Sequence, residues 1–105
     1  MLLLDDDDAL PSSRTDEEAS FAALLTETGL RVVDANLTGS TRSQWLKVAS
    51  IVHAAVKAGG YDVWNEGHLH LHVRRVIDLV ARGVLESKGD LHRPRWSEVR
   101  LAKRM

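Results

Sequence analysis

The chain has 105 residues, 44% of them hydrophobic, which is long enough for one modest domain and too short for two. It has no cysteine, and this excludes a disulfide scaffold, a thiolate zinc site and thiol catalysis. A net charge of −1 hides a split: residues 1–40 carry nine acids against Arg14 and Arg31, whereas residues 41–105 carry twelve Lys or Arg against six acids. Such asymmetry points to a charged partner or to masking of one half by the other.

Met1-Leu2-Leu3-Leu4 passes directly into Asp5-Asp6-Asp7-Asp8. A secretory signal needs a basic start and a longer apolar run, and no stretch approaches a membrane span. A cytoplasmic protein with no membrane partner is expected. Residues 1–14 read as an acidic flexible tail, because the aspartates repel one another and Pro11-Ser12-Ser13 offers no periodicity. Thr15-Asp16-Glu17-Glu18 then fits a capping box, with acids at the positive end of the helix dipole. A helix to about Thr28 follows, with Phe21, Leu24 and Leu25 on its apolar side, and Gly29 stops it. Leu30-Arg31-Val32-Val33-Asp34 reads as a short strand and 36–40 as a loop. Residues 15–40 are thus expected to be a helix and strand packed on the module that follows.

Residues 41–105 carry the clearer pattern. Thr41-Arg42-Ser43-Gln44 fits a second capping box with Thr41 as N-cap. Trp45, Val48, Ala49, Ile51, Val52, Ala55 and Val56 recur at helical spacing, and Gly59-Gly60 ends that helix. Trp45, in phase with Ala49 and Val52, is expected in the core, and His53 at the edge of the apolar stripe. Tyr61 to Gly67 is a connector. The next helix places Leu69, Val73, Val76, Ile77 and Val80 on one face and stops at Gly83. Val84-Leu85-Glu86-Ser87 and Leu91 to Leu101 predict two strands joined around Lys88-Gly89-Asp90, with Pro94 forcing an edge or a bulge. The order helix, connector, helix, hairpin predicts an α+β, mostly helical, winged-helix-like module.

Several pieces between Leu30 and Leu101 carry a family likeness. They are Leu30-Arg31-Val32-Val33, Trp45 with Val48-Ala49 and Val52, and Arg75-Val76 with Leu79. Gly83-Val84-Leu85-Glu86, Gly89-Asp90-Leu91 and Ser97-Glu98-Val99-Arg100-Leu101 complete the set. In these pieces the chain resembles the uncharacterised bacterial domain of unknown function number 3658. The resemblance implies a helical module with a terminal hairpin, no established activity, and a usual place after a larger N-terminal domain.

Chemistry-bearing residues cluster at Gly67-His68-Leu69-His70-Leu71-His72, followed by Arg74-Arg75. On a helix His68 and His72 stand one turn apart, a spacing that can chelate zinc with Glu66 or His92, but no His-Glu-x-x-His motif accompanies them. Neither metal nor cofactor is expected. A nucleic-acid reading places His70, Arg74 and Arg75 on the recognition helix 67–82, with Arg93 and Arg95 in the wing. Arg74 and Asp78 also suit an ordinary ion pair. The leading reading is docking on a protein partner, which Trp64 and Trp96 beside arginine would anchor, and which could extend to neutralising a basic partner. The expected partner-binding set is therefore Trp64, His68, His70, His72, Arg74, Arg75, Arg93, Arg95 and Trp96. No phosphate loop, nucleophile elbow or nucleophile–base motif supports an enzyme.

Overall fold

Thr15 starts the first helix as its sequence predicts: its hydroxyl accepts the Glu18 N–H at 3.3 Å. The computed structural model describes residues 9–103. From this cap α1 runs over Asp16–Gly39, followed by β1 (Leu46–Lys47), α2 (Val48–Ala58), α3 (Glu66–Ala81), β2 (Leu85–Gly89), a single 3-10 turn at Pro94–Trp96, and β3 (Ser97–Leu101). The strands form one antiparallel sheet in the order β1-β3-β2. Three helices, a short strand between the first two, and a closing hairpin make a helix-rich, winged-helix-like α+β arrangement.

The strand expected at Leu30–Asp34 is helix instead. Leu30, Val33 and Leu37 follow helical spacing, and Val33 and Leu37 are buried while Arg31 and Val32 face out. The β-branched pair suggested a strand, and burial of that 3–4 spaced face overrides the propensity. The chain does break, but at Thr26, whose φ of 59° and ψ of −178° interrupt α1 before it resumes. The winged-helix set therefore begins at Asp16 rather than Thr41, and α1 is its first helix.

Thr41 does not cap a helix. It is buried, and its hydroxyl donates to the Leu37 carbonyl at 2.7 Å, closing the end of α1. Trp45 lies outside α2 and outside the core. Its ring is covered from the sheet by Lys88 Nζ at 4.4 Å and the Arg100 guanidinium at 4.5 Å.

The glycine stops at Gly59-Gly60 and Gly83 hold, whereas Gly29 lies inside α1 and stops nothing. Gly60 and Gly83 have φ of 74° and 79°. Each lets the chain close its helix with paired bonds, Gly60 N–H to Lys57 and Tyr61 N–H to Val56, then Gly83 N–H to Val80 and Val84 N–H to Leu79. In the hairpin Leu85 pairs with Leu101, Ser87 with Val99 and Gly89 with Ser97. Leu85 and Val99 are buried, and the alternate positions pair Arg100 with Glu86 and Lys88 with Glu98. Pro94 sits in the 3-10 turn, outside either strand, which spares the ladder a missing donor.

The core lies where all three helices meet the sheet: Leu37, Ile51, Val52, Val56, Leu69, Val73, Val76 and Val99 are fully or almost fully enclosed. Each such side chain contributes about 1.5–3 kcal/mol of burial. Leu10 and Pro11 lie against this body rather than in a flexible tail. Leu10 is buried, its N–H donates to the His92 carbonyl at 2.6 Å, and the Pro11 carbonyl accepts from Arg74 at 2.7 Å. Asp5–Asp8 lie outside the described residues. Among the described residues no helix is long and apolar enough to cross a membrane.

Candidate docking groove

Ion pairs hold α1 along α3. Glu18 on α1 is fully buried, and Arg74 Nε donates to its two oxygens at 2.8 and 2.6 Å. Farther along, Arg75 donates to both oxygens of Asp34 at 2.9 and 2.7 Å, and Arg82 adds a third contact at 3.2 Å. The Asp34 bonds hold the Arg75 guanidinium above its ordinary pKa. At the helix heads the backbones approach closely, because a Cβ on Gly67 would fall 2.8 Å from the Glu17 carbonyl. Two helices drawn together this tightly leave a groove at their N-terminal ends.

That groove has a volume of about 370 Å³ and is lined by Asp16, Glu17, Ser20, Phe21 and Leu24 of α1 with Asn65 and His68 at the head of α3. Its floor is aromatic: the Phe21 and His68 ring centroids lie 3.9 Å apart with a 30° tilt, and Tyr61 stands edge-on to both. Leu24 is 81% exposed. Trp64, next in the chain to Asn65, is 75% exposed. The connector fixes it in place, since its N–H donates to Asp62 Oδ1 at 2.8 Å while Asn65 caps α3 through the His68 N–H.

Two of the three histidines of α3, His70 and His72, are buried, and His68 is half-buried at the groove. His68 Nδ1 accepts the Asp62 N–H at 3.1 Å, so its proton resides on Nε2. Burial holds its pKa below the ordinary imidazole value against the pull of Asp62. His72 is completely enclosed. Its Nδ1 meets the His68 carbonyl at 2.8 Å and must donate, which leaves Nε2 buried without a partner among the described residues. His70 is buried too, with Nδ1 unpartnered, and burial lowers both pKa values. Among the described residues no group of three or more His, Asp or Glu side chains converges around the His68–His72 pair.

The sequence-predicted residues therefore do not form one surface. His70 and His72 face inward, Arg74 and Arg75 hold acids of α1, His68 lines the groove, and Trp64 is exposed next in the chain to the groove's Asn65. Gly67 and Leu69 to Val73 are all buried, so the first half of α3 presents no recognition face. Arg93, Arg95 and Trp96 are exposed on the wing segment between β2 and β3, Trp96 by 58%. Beside them Lys47, Ala49, Ser50 and Arg95 line a shallow polar cleft of about 150 Å³. Sequence reasoning missed Glu18 and Asp34 as ion-pair partners, and Asp16, Glu17 and Leu24 as groove residues. The readable sign was Leu24, one apolar residue more than the face through Phe21 and Leu25 requires.

Helix-rich winged-helix-like architecture and an amphipathic groove at the head of α1 and α3 define this chain. Compared with known proteins, it matches no family model, no curated protein and no solved structure.

Proposed function

We propose that the chain is a non-catalytic binding module that docks on a protein partner through the groove at the head of α1 and α3. The observation that carries this is the exposure of Leu24 in the wall of an aromatic-floored groove, with exposed Trp64 one residue from its lining Asn65. Large apolar side chains held outward by ordered backbone beside a concavity are the usual anchors of an interface. Membership of the domain of unknown function number 3658 is part of the same proposal. It rests chiefly on Gly89-Asp90-Leu91 and Ser97 to Leu101, at the end of β2 and along β3 of the hairpin. A photo-crosslinking residue placed at Leu24 in native cells should give one discrete protein adduct that is lost on Trp64→Asp. The same probe at Ser43, on the far loop, should give none. Identical adducts from both positions, or none from Leu24, would overturn the reading.

Nucleic-acid binding is a second reading, favoured by the exposed Arg93 and Arg95 of the wing with Lys47 beside them. Arg74 and Arg75 contribute nothing to it while they hold Glu18 and Asp34. It expects duplex binding that weakens steeply with salt and is abolished by Arg93→Ala with Arg95→Ala. No shift at low salt removes it.

A further inference from the structure

Every charged group lining the groove is acidic. Asp16 and Glu17 stand at its rim, and neither has an ion pair or hydrogen bond among the described residues. The neighbouring cations are taken by Glu18, which holds Arg74 at 2.6 Å and lies 3.6 Å from Arg14. Thr15 already fills the N-cap position, so neither rim carboxylate is consumed in closing the helix. One acid of the capping sequence thus turns inward to staple α3, and two remain facing the groove.

The floor adds no positive charge. His68 accepts a backbone N–H at Nδ1, and an imidazolium would set two donors against each other there. Phe21 and His68 line the groove with ring centroids 3.9 Å apart, a polarisable floor without a fixed charge of its own. Carboxylates above an aromatic floor are the chemistry that recognises an ammonium or guanidinium, while Leu24 and Trp64 supply apolar contact beside it. A volume of about 370 Å³ lies at the low end of the roughly 300–1,000 Å³ typical of ligand sites. It suits one or two side chains of a partner segment, not the face of a globular domain.

Resting on the docking reading, we propose that the groove receives a lysine or arginine side chain presented beside an apolar residue by a polypeptide segment of the partner. Asp16 and Glu17 neutralise the cation, the Phe21–His68 pair lies under it, and Leu24 takes the apolar neighbour.

The test immobilises the full chain and selects from two degenerate peptide pools. Both fix Leu at a central position, one with Lys or Arg beside it and the other with Glu. The cationic pool should be enriched, and selected peptides should shift the NMR signals of Ser20, Leu24 and His68. Asp16→Asn with Glu17→Gln should weaken the selected peptides by about fivefold or more, the range of exposed charge contacts. Glu27→Gln with Asp90→Asn removes the same charge elsewhere and should leave binding unchanged. Equal enrichment of both pools with groove signals shifting overturns the cationic choice and spares docking. No shift of groove signals by either pool overturns both. Spermidine perturbing the groove as strongly as the peptides overturns a polypeptide source.

Discussion

Arg74 reaches across 56 residues of sequence to place its Nε between both oxygens of the buried Glu18 carboxylate. Its Nη2 meanwhile fastens the Pro11 carbonyl, so one side chain binds the N-terminal segment, α1 and α3 together. A buried carboxylate is tolerable only while so paired. Arg74→Met should therefore cost about 3–5 kcal/mol, because it leaves the buried Glu18 carboxylate with only the half-exposed Arg14, 3.6 Å away. Glu18→Leu added to it should recover most of that loss, since two apolar residues of similar volume remove the stranded charge. Urea titration of the three proteins checks this, and a double variant no more stable than Arg74→Met would contradict the assignment.

The close approach of α1 and α3 depends on Gly67. A methyl group there meets Glu17 carbonyl carbon and oxygen at 2.8 Å, and backbone cannot step aside as a flexible side chain would. Overpacking of this kind costs about 1–3 kcal/mol, partly offset by about 1 kcal/mol of helix propensity. Gly67→Ala should therefore lower stability by up to about 2 kcal/mol and widen the groove. Gly39, with open space around its Cβ position, is the control: Gly39→Ala should be neutral or stabilising by about 0.5 kcal/mol. Thermal melts of both variants decide it.

Thr26 bears a φ of 59° with an extended ψ, a conformation that a β-branched residue strongly resists. Such strain costs about 1–3 kcal/mol, against about 1 kcal/mol of extra chain entropy lost by a glycine. Thr26→Gly should stabilise by up to about 2 kcal/mol and raise Tm by several degrees. A lower Tm would mean that α1 runs straight through this position.

How far the sequence could be read follows from how far each cause reaches along the chain. The Thr15 cap and the Gly60 and Gly83 stops are set within a few residues, and they stand where local chemistry puts them. The stripe Val48, Ile51, Val52, Ala55 and Val56 is likewise buried as its spacing predicts. Leu30 to Val33 failed because local propensity and long-range burial disagree there, and burial wins. Thr41 looks like an N-cap but hydrogen-bonds backward to Leu37, a choice made by where α1 ends. The site was less legible still. Nothing near Arg74 or Arg75 in sequence announces Glu18 or Asp34, so two paired arginines read as a basic recognition face. Trp45 missed the core for a similar reason: a tryptophan's spacing does not tell whether a core or a sheet edge lies beyond it.

Burial lowers the pKa of His68, His70 and His72 from the ordinary 6.5. Around His70 stand Glu17 and Glu18 of α1 and Glu66 and Arg74 of its own helix, while His72 faces His68 and Asp34. The acids oppose the shift without reversing it. A depressed histidine pKa means that the unfolded chain binds protons more readily, so stability is full above 6.5 and falls as pH drops below it. Lowering pH from about 7.5 to about 5.5 should reduce the urea midpoint, with a fully enclosed histidine adding a slope of up to about 1.4 kcal/mol per pH unit. His72→Leu removes one such group and its unpartnered Nε2, and should flatten the profile. A midpoint that rises on acidification would contradict neutral burial.

Leu24 and Trp64 separate docking from folding, because neither contributes much to the interior. Leu24→Ser and Trp64→Ser should each change stability by less than about 0.5 kcal/mol, the range for exposed positions. Burial against a partner would instead make either residue an anchor, and its loss should cost about 2 kcal/mol of binding, roughly 30-fold in Kd. Phe21→Ala gives the contrasting pattern. It removes a buried ring and should lower stability by about 3 kcal/mol or more, with any binding defect following from that loss. Stability by urea titration and affinity by calorimetry with a cationic peptide resolve the two effects. If Leu24→Ser and Trp64→Ser leave affinity unchanged while the fold stays intact, the groove is not the docking surface.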